Sequence, residues 1–154
     1  MNLESQLEQV FATNFTSYYR AHVAHVNVTG RNFVSDHKIL GKIYEDLQGN
    51  IDRLAEILRT LRAFMPANLD TVIELSVNNT AKVKGDAEEL LQMVYDDQEV
   101  LIDEYIALIE VADEEGHSEI ANYAQDRLAV HRKNCWMLRS ILEEREEDEE
   151  DYDD

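Results

Sequence analysis

Between Ser35 and Phe64 the apolar residues Leu40, Ile43, Leu47, Ile51, Leu54, Leu58 and Leu61 recur every three or four positions, close to a heptad. Such a seam keeps facing one partner over several turns, so it demands a helix packed on another helix. A strand, with its period of two, cannot carry it. Pro66 is the only proline in 154 residues and glycine occurs five times, so little else interrupts long helices. Similar stripes mark a first helix over Leu3–Val28 (Leu7, Phe11, Phe15, Tyr18, His22, His25) and a third over Ala81–Ala112 (Leu91, Val94, Leu101, Tyr105, Leu108). A fourth over Glu119–Glu143 carries Ile120, Ala124, Leu128, His131, Cys135, Leu138 and Leu142. The chain is expected to be all-α.

The connections narrow the topology. Asn27 to Asn32 is a short turn in which Gly30 can take positive φ, with Asn32 or Ser35 able to cap the next helix. Glu114 to Ser118 is another short turn, with Ser118 a possible cap. Each short turn joins an antiparallel hairpin. Pro66 stops the second helix, and the stretch to the third holds a possible short helix from Leu69 to about Val77. That stretch is long enough to run the length of a bundle, which is the single long crossover of ferritin-like four-helix bundles. One such domain is expected over residues 1–142.

The formal net charge is −19. Residues 143–154 hold ten acids and one arginine, so they contribute −9 and leave −10 on the domain. The acidic segment reads as a disordered tail, because like charges repel and nothing in it packs. A domain this acidic is a poor partner for nucleic acid, whose binding rests on Lys and Arg neutralising phosphates. It can instead concentrate cations near its surface. Cys135 is the only cysteine, so no internal disulfide is available and a reducing compartment, the cytoplasm, is expected. No basic and apolar leader opens the chain, and no apolar run approaches the roughly 20 residues that span a bilayer.

Four residues carry possible chemistry: His25, His37, Asp52 and Glu56. Asp52 and Glu56 are an i, i+4 pair, so both project from one helix face. His37 lies fifteen residues before Asp52 on the same helix, about 22 Å along the axis. One chain cannot place all four on one ion. A second copy lying antiparallel across a two-fold axis near Tyr44 and Glu45 brings His37 of one chain level with Asp52 of the other. His25 folds back beside His37 across the Gly30 turn. Two sites per dimer follow, each with two imidazoles from one chain and two carboxylates from the other. A mixed nitrogen and oxygen shell of this kind suits iron, manganese or zinc. Each residue also has an ordinary reading. An Asp and Glu one turn apart are commonly a solvated face, and a histidine on an apolar stripe is commonly a core residue. His22 and His131 fit the core reading better, His117 reads as a turn residue, and Tyr18, Tyr19, Tyr95, Tyr105 and Tyr123 read as packing residues.

The segment Ala24-His25-Val26-Asn27-Val28-Thr29-Gly30-Arg31-Asn32-Phe33, followed by His37 and then Asp52-Arg53-Leu54-Ala55-Glu56, resembles the ferroxidase signature of the Dps family of mini-ferritins. The family pattern has a His, a second His twelve positions on, an Asp four further, then an Asp and Glu four apart. The resemblance runs from about Leu7 to Leu142, where Asp126-Arg127-Leu128 and Trp136-Met137-Leu138 are similar to the family's last helix. It departs at two places: Gly41 stands where the family has its first Asp, and Val26 where a Trp commonly follows the first His. Losing one carboxylate should weaken the site, and Glu45 or Asp36 could substitute, directly or through water.

The resemblance implies twelve chains in a hollow tetrahedral shell. Fe(II) would enter through acidic pores, for which Asp113, Glu119 and Asp126 are candidates. At the shared sites His25 and His37 would anchor the ion, Asp52 and Glu56 would neutralise it, and hydrogen peroxide or dioxygen would oxidise it to stored ferric mineral. Zinc or manganese could occupy the same donors. DNA-binding members commonly use basic terminal extensions, which this chain lacks, so direct DNA binding is not expected. The alternative is a ferritin-like metal-binding scaffold that has lost turnover at Gly41. A di-metal oxygenase or rubrerythrin-type peroxidase would want Glu-x-x-His pairs; Leu91 follows Glu88 at that spacing and Ser118 follows Glu115, so that class is disfavoured.

Overall fold

A computed structural model describes the fold of residues 1–150 and the side chains of residues 1–143. Five helices follow in order: α1 (Leu3–Asn27), α2 (Phe33–Thr60), α3 (Leu69–Leu75), α4 (Ala87–Glu114) and α5 (Ser118–Glu150). No strand occurs among the described residues. The two hairpins α1–α2 and α4–α5 pack side by side, α1 lying against α4 and the short α3 against α1. This is the all-α four-helix bundle with a crossover helix that the sequence calls for. The acidic segment expected to be disordered falls almost wholly outside the described side chains.

The seam of α2 does what its spacing requires. Leu40, Ile43, Leu47, Leu54 and Leu58 are fully buried, with Ile51 and Leu61 packed at the margin. They meet Leu7, Val10 and Phe11 of α1, Leu91, Val94, Leu101 and Leu108 of α4, and Ala124 and Leu138 of α5 in one core.

Helix ends differ from the sequence reading where local hydrogen bonds decide them. The second helix ends at Thr60, short of Phe64. Arg62 takes φ 64°, its N–H bonds the Arg59 carbonyl and the Ala63 N–H bonds the Leu58 carbonyl, so the chain turns out of the helix before Pro66 is reached. The same geometry ends α4, with Gly116 at φ 78° and the His117 N–H on the Ala112 carbonyl. The third long helix starts at Ala87, not Ala81. Asp86 caps it, its side chain accepting from the Glu89 N–H while Glu89 reaches back to the Asp86 N–H. Gly85 at φ 126° blocks extension towards Ala81. Ser118 is the first residue of α5, not its cap, and α5 is described to Glu150, beyond the expected Glu143.

A chain of buried polar groups runs through the bundle centre. The Asn50 amide donates to the Tyr105 hydroxyl and to Asn14 Oδ1, and the Tyr123 hydroxyl donates to Asn50 Oδ1. Arg127 grips Asp46 with two bonds of 2.9 and 2.7 Å. His131 is fully buried between Gln98 Oε1 at 2.7 Å from its Nδ1 and the Arg127 guanidinium at 3.2 Å from its Nε2. It is the core histidine the sequence suggests. Tyr105 and Tyr123 are likewise packing residues, buried with their hydroxyls bonded.

Candidate metal centre

The turn between α1 and α2 builds the site. Helix α1 ends where Val28 turns extended, its N–H still on the Ala24 carbonyl. Gly30 then takes φ 113°, which an L side chain would resist. The Phe33 N–H bonds the Gly30 carbonyl and α2 departs antiparallel. This reversal sets His25, in the last turn of α1, beside His37, in the second turn of α2.

Each histidine is fixed by the other's backbone. His25 Nδ1 lies 2.7 Å from the His37 carbonyl oxygen, and His37 Nδ1 lies 2.7 Å from the His25 carbonyl oxygen. A carbonyl only accepts, so both Nδ1 atoms carry the proton. In the neutral ring Nε2 then holds the lone pair, the arrangement that readies a histidine for a metal. The rings stack with centroids 3.8 Å apart at 17°. Phe33 stacks on His37 at 5.0 Å, and Tyr44 stands 4.9 Å from His25. Tyr44 in turn stacks flat on His22 at 4.1 Å, and His22 Nδ1 is 3.1 Å from the Tyr18 hydroxyl. His22 is thus a packing residue that backs the pair, in keeping with the sequence reading.

Gly41 touches this pair directly. It is buried, and a Cβ placed on it would lie 2.9 Å from His25 Cε1 and 3.1 Å from His25 Nδ1. The His25 ring therefore fills the space beside Gly41.

Asp52 and Glu56 lie exposed on α2, one turn apart and away from the buried seam. Among the described residues, no three His, Cys, Asp or Glu side chains of one chain are placed to hold an ion. The structure brings His25 and His37 together, and leaves Asp52 and Glu56 as a separate outward-facing pair. Asp36 is buried in the first turn of α2, and Glu45 is exposed further along it. Asp113 and Asp126 are exposed, as is Glu119, which bonds His117 at 2.9 Å. The reciprocal carbonyl bonds, the Tyr44 ring and the Gly41 contact were not read from the sequence. The placement of Tyr44 three residues beyond Gly41, on the same face, was the available signal.

A family model described as a ferritin-like domain matches residues 4–147. The DNA protection during starvation protein of Brevibacillus brevis is 30% identical over 126 residues, covering 82% of this chain and 85% of its own. Its counterpart from Helicobacter pylori is 29% identical over 137 residues, covering 88% and 95%. A crystal structure of a Dps protein from Bacillus brevis superposes with a TM-score of 0.87 at 28% identity, covering 91% of this chain and 94% of that one. The chain belongs to the Dps family. A Dps structure from Vibrio cholerae, described as a member of a broad superfamily of ferritin-like diiron-carboxylate proteins, gives a TM-score of 0.86 at 26% identity, covering 91% and 88%. Dps proteins as a family serve iron storage and protection against oxidative damage, and ferroxidase chemistry belongs to that family in general. Among the described residues, no helix of this Dps chain is long and apolar enough to cross a membrane.

Proposed function

We propose that this Dps chain binds Fe(II) at sites shared by two subunits, oxidises it and stores the ferric product inside a shell of twelve copies. The observation that supports this best is the division of donors within one chain. Two imidazoles are locked with Nε2 available, while the carboxylates that would neutralise the ion face outward elsewhere on α2. A two-fold axis across α2 unites them. His25 and His37 hold the metal, and the Nδ1–H bonds to backbone keep the imidazoles oriented. Asp52 and Glu56 balance its charge and favour the ferric state. Two Fe(II) ions give one electron each, and the O–O bond of one hydrogen peroxide accepts both. With two protons the oxygen leaves as water, so no hydroxyl radical is released. Dioxygen is the alternative acceptor. Zinc and manganese suit the same donors and compete for them. Asp113, Glu119 and Asp126 remain candidates for the acidic entry path, and Glu45 or Asp36 for a water-bridged contact at the site.

Anaerobic Fe(II) loading followed by peroxide tests this reading, with ferric absorbance and particle size followed together. A dodecamer that develops ferric absorbance is expected, with the rate falling more than about ten-fold in His25→Ala. A dodecamer that binds Fe(II) without oxidising it, unchanged by His25→Ala, would favour the second reading, a metal-binding scaffold that has lost turnover at Gly41.

Protection of DNA would then be chemical, by removing iron and peroxide. The charge of −10 left on the domain opposes a direct grip on phosphates. A low-salt gel-shift assay is expected to show no complex with duplex DNA, and a robust shift without added divalent metal would contradict this.

A further inference from the structure

We infer that Gly41 is a positioning residue of the metal site, whose missing side chain makes room for His25 in the stacked pair it forms with His37. The inference rests on the shared-site reading above. The ordinary account of Gly41 is subtraction: a carboxylate is absent and restoring it should strengthen binding. The packing says otherwise. A Cβ at position 41 would meet His25 Cε1 at 2.9 Å, closer than real Cβ atoms come, and Nδ1 at 3.1 Å.

The helix is anchored by Leu40 and Ile43, buried in the core at 0% and 1% exposure, and the atoms met are the far end of a side chain. The ring must therefore move. It has little freedom to do so: His37 stacks on it at 3.8 Å, Tyr44 stands 4.9 Å away, and its Nδ1–H is bonded to the His37 carbonyl at 2.7 Å. A displaced His25 loses that bond, and with it the proton placement that leaves Nε2 free. In the packing of this chain a side chain at 41 thus presses on the imidazole pair, whether or not it carries a donor.

Metal affinity distinguishes the two accounts without relying on turnover. Zn(II) binding to the assembled, iron-free protein is measured by calorimetry for wild type, Gly41→Ala, Gly41→Asp and His25→Ala. Gly41→Ala is expected to weaken Zn(II) binding about ten-fold or more, as removal of an outer-shell support commonly does. Gly41→Asp is expected to bind no tighter than wild type. Alanine ordinarily favours a helix interior over glycine, so loss of affinity in a folded Gly41→Ala shell cannot be laid to the helix. A folding-independent check is the Nδ1–H resonance of His25, protected from exchange in wild type and lost in Gly41→Ala. Tighter binding in Gly41→Asp, or unchanged binding and protection in Gly41→Ala, would overturn the inference while leaving the shared site standing. Unchanged binding in His25→Ala would overturn both.

Discussion

Shells assembled from two different inactive chains are expected to recover activity that neither has alone. One chain carries His25→Ala and His37→Ala; the other carries Asp52→Asn and Glu56→Gln. Each homogeneous shell lacks half the donors at every site and should oxidise Fe(II) no faster than solution. When equal amounts assemble together at random, a site is whole only when its imidazoles come from the second chain and its carboxylates from the first. The two choices are independent across an isologous two-fold interface, so about a quarter of the sites are intact. Oxidation should return to about a quarter of the wild-type rate at the same subunit concentration. A site contained within one chain predicts no recovery at any mixing ratio. Mass spectrometry of isotope-labelled shells establishes that the chains have mixed, so a null result counts against the shared site. The carboxylate changes sit on exposed residues, which keeps this half of the test clear of folding defects. The histidine changes remove two bonds across the α1–α2 turn, so that chain's melting temperature is the companion measurement.

What the sequence disclosed divides along physical lines. Helix seams were legible because burial follows period: Leu40, Ile43, Leu47, Leu54 and Leu58 all lie in the core. Ends were less so. The termination at Thr60 rests on Arg62 in a left-handed conformation, an unusual choice for a residue with a side chain, and the composition around Pro66 points to a later stop. The start at Ala87 rests on a capping box that only the bonded geometry distinguishes from the other acids nearby. At the site, spacing gave the pairing of His25 with His37 and the face shared by Asp52 and Glu56. It could not give the contact between Gly41 and His25, which depends on how two helices meet across a turn. In the sequence that glycine is a missing ligand; in the structure it is a filled space.

Stability is expected to fall steeply below neutral pH, and His131 is the group responsible. Its ring is fully buried, and burial first, then the Arg127 charge, push its pKa from 6.5 down to about 3, with Asp46 pulling weakly the other way. Both ring nitrogens are already committed, Nδ1–H to Gln98 and Nε2 accepting from Arg127, so a second proton has no acceptor and meets a cation. The unfolded chain carries no such penalty and takes up the proton near pH 6.5. Below that pH the unfolded state binds one more proton than the folded state, so stability drops by about 1.4 kcal/mol per unit. By pH 3.5 the loss reaches on the order of 4 kcal/mol, a large share of a domain's usual margin. The buried carboxyls work in the opposite sense. Burial raises Asp97 and Glu104 above their ordinary values, against the bonds from Arg20 and from Gln9 and Gln6 respectively. They take up protons more readily when folded, which offsets part of the acid loss. Denaturant unfolding from pH 7 to pH 4 therefore isolates the histidine by comparison: His131→Gln should flatten the slope relative to wild type, whatever it costs at pH 7. Among the described residues no other histidine is fully buried, so an equal slope in the two proteins would place the acid sensitivity in groups other than buried histidine.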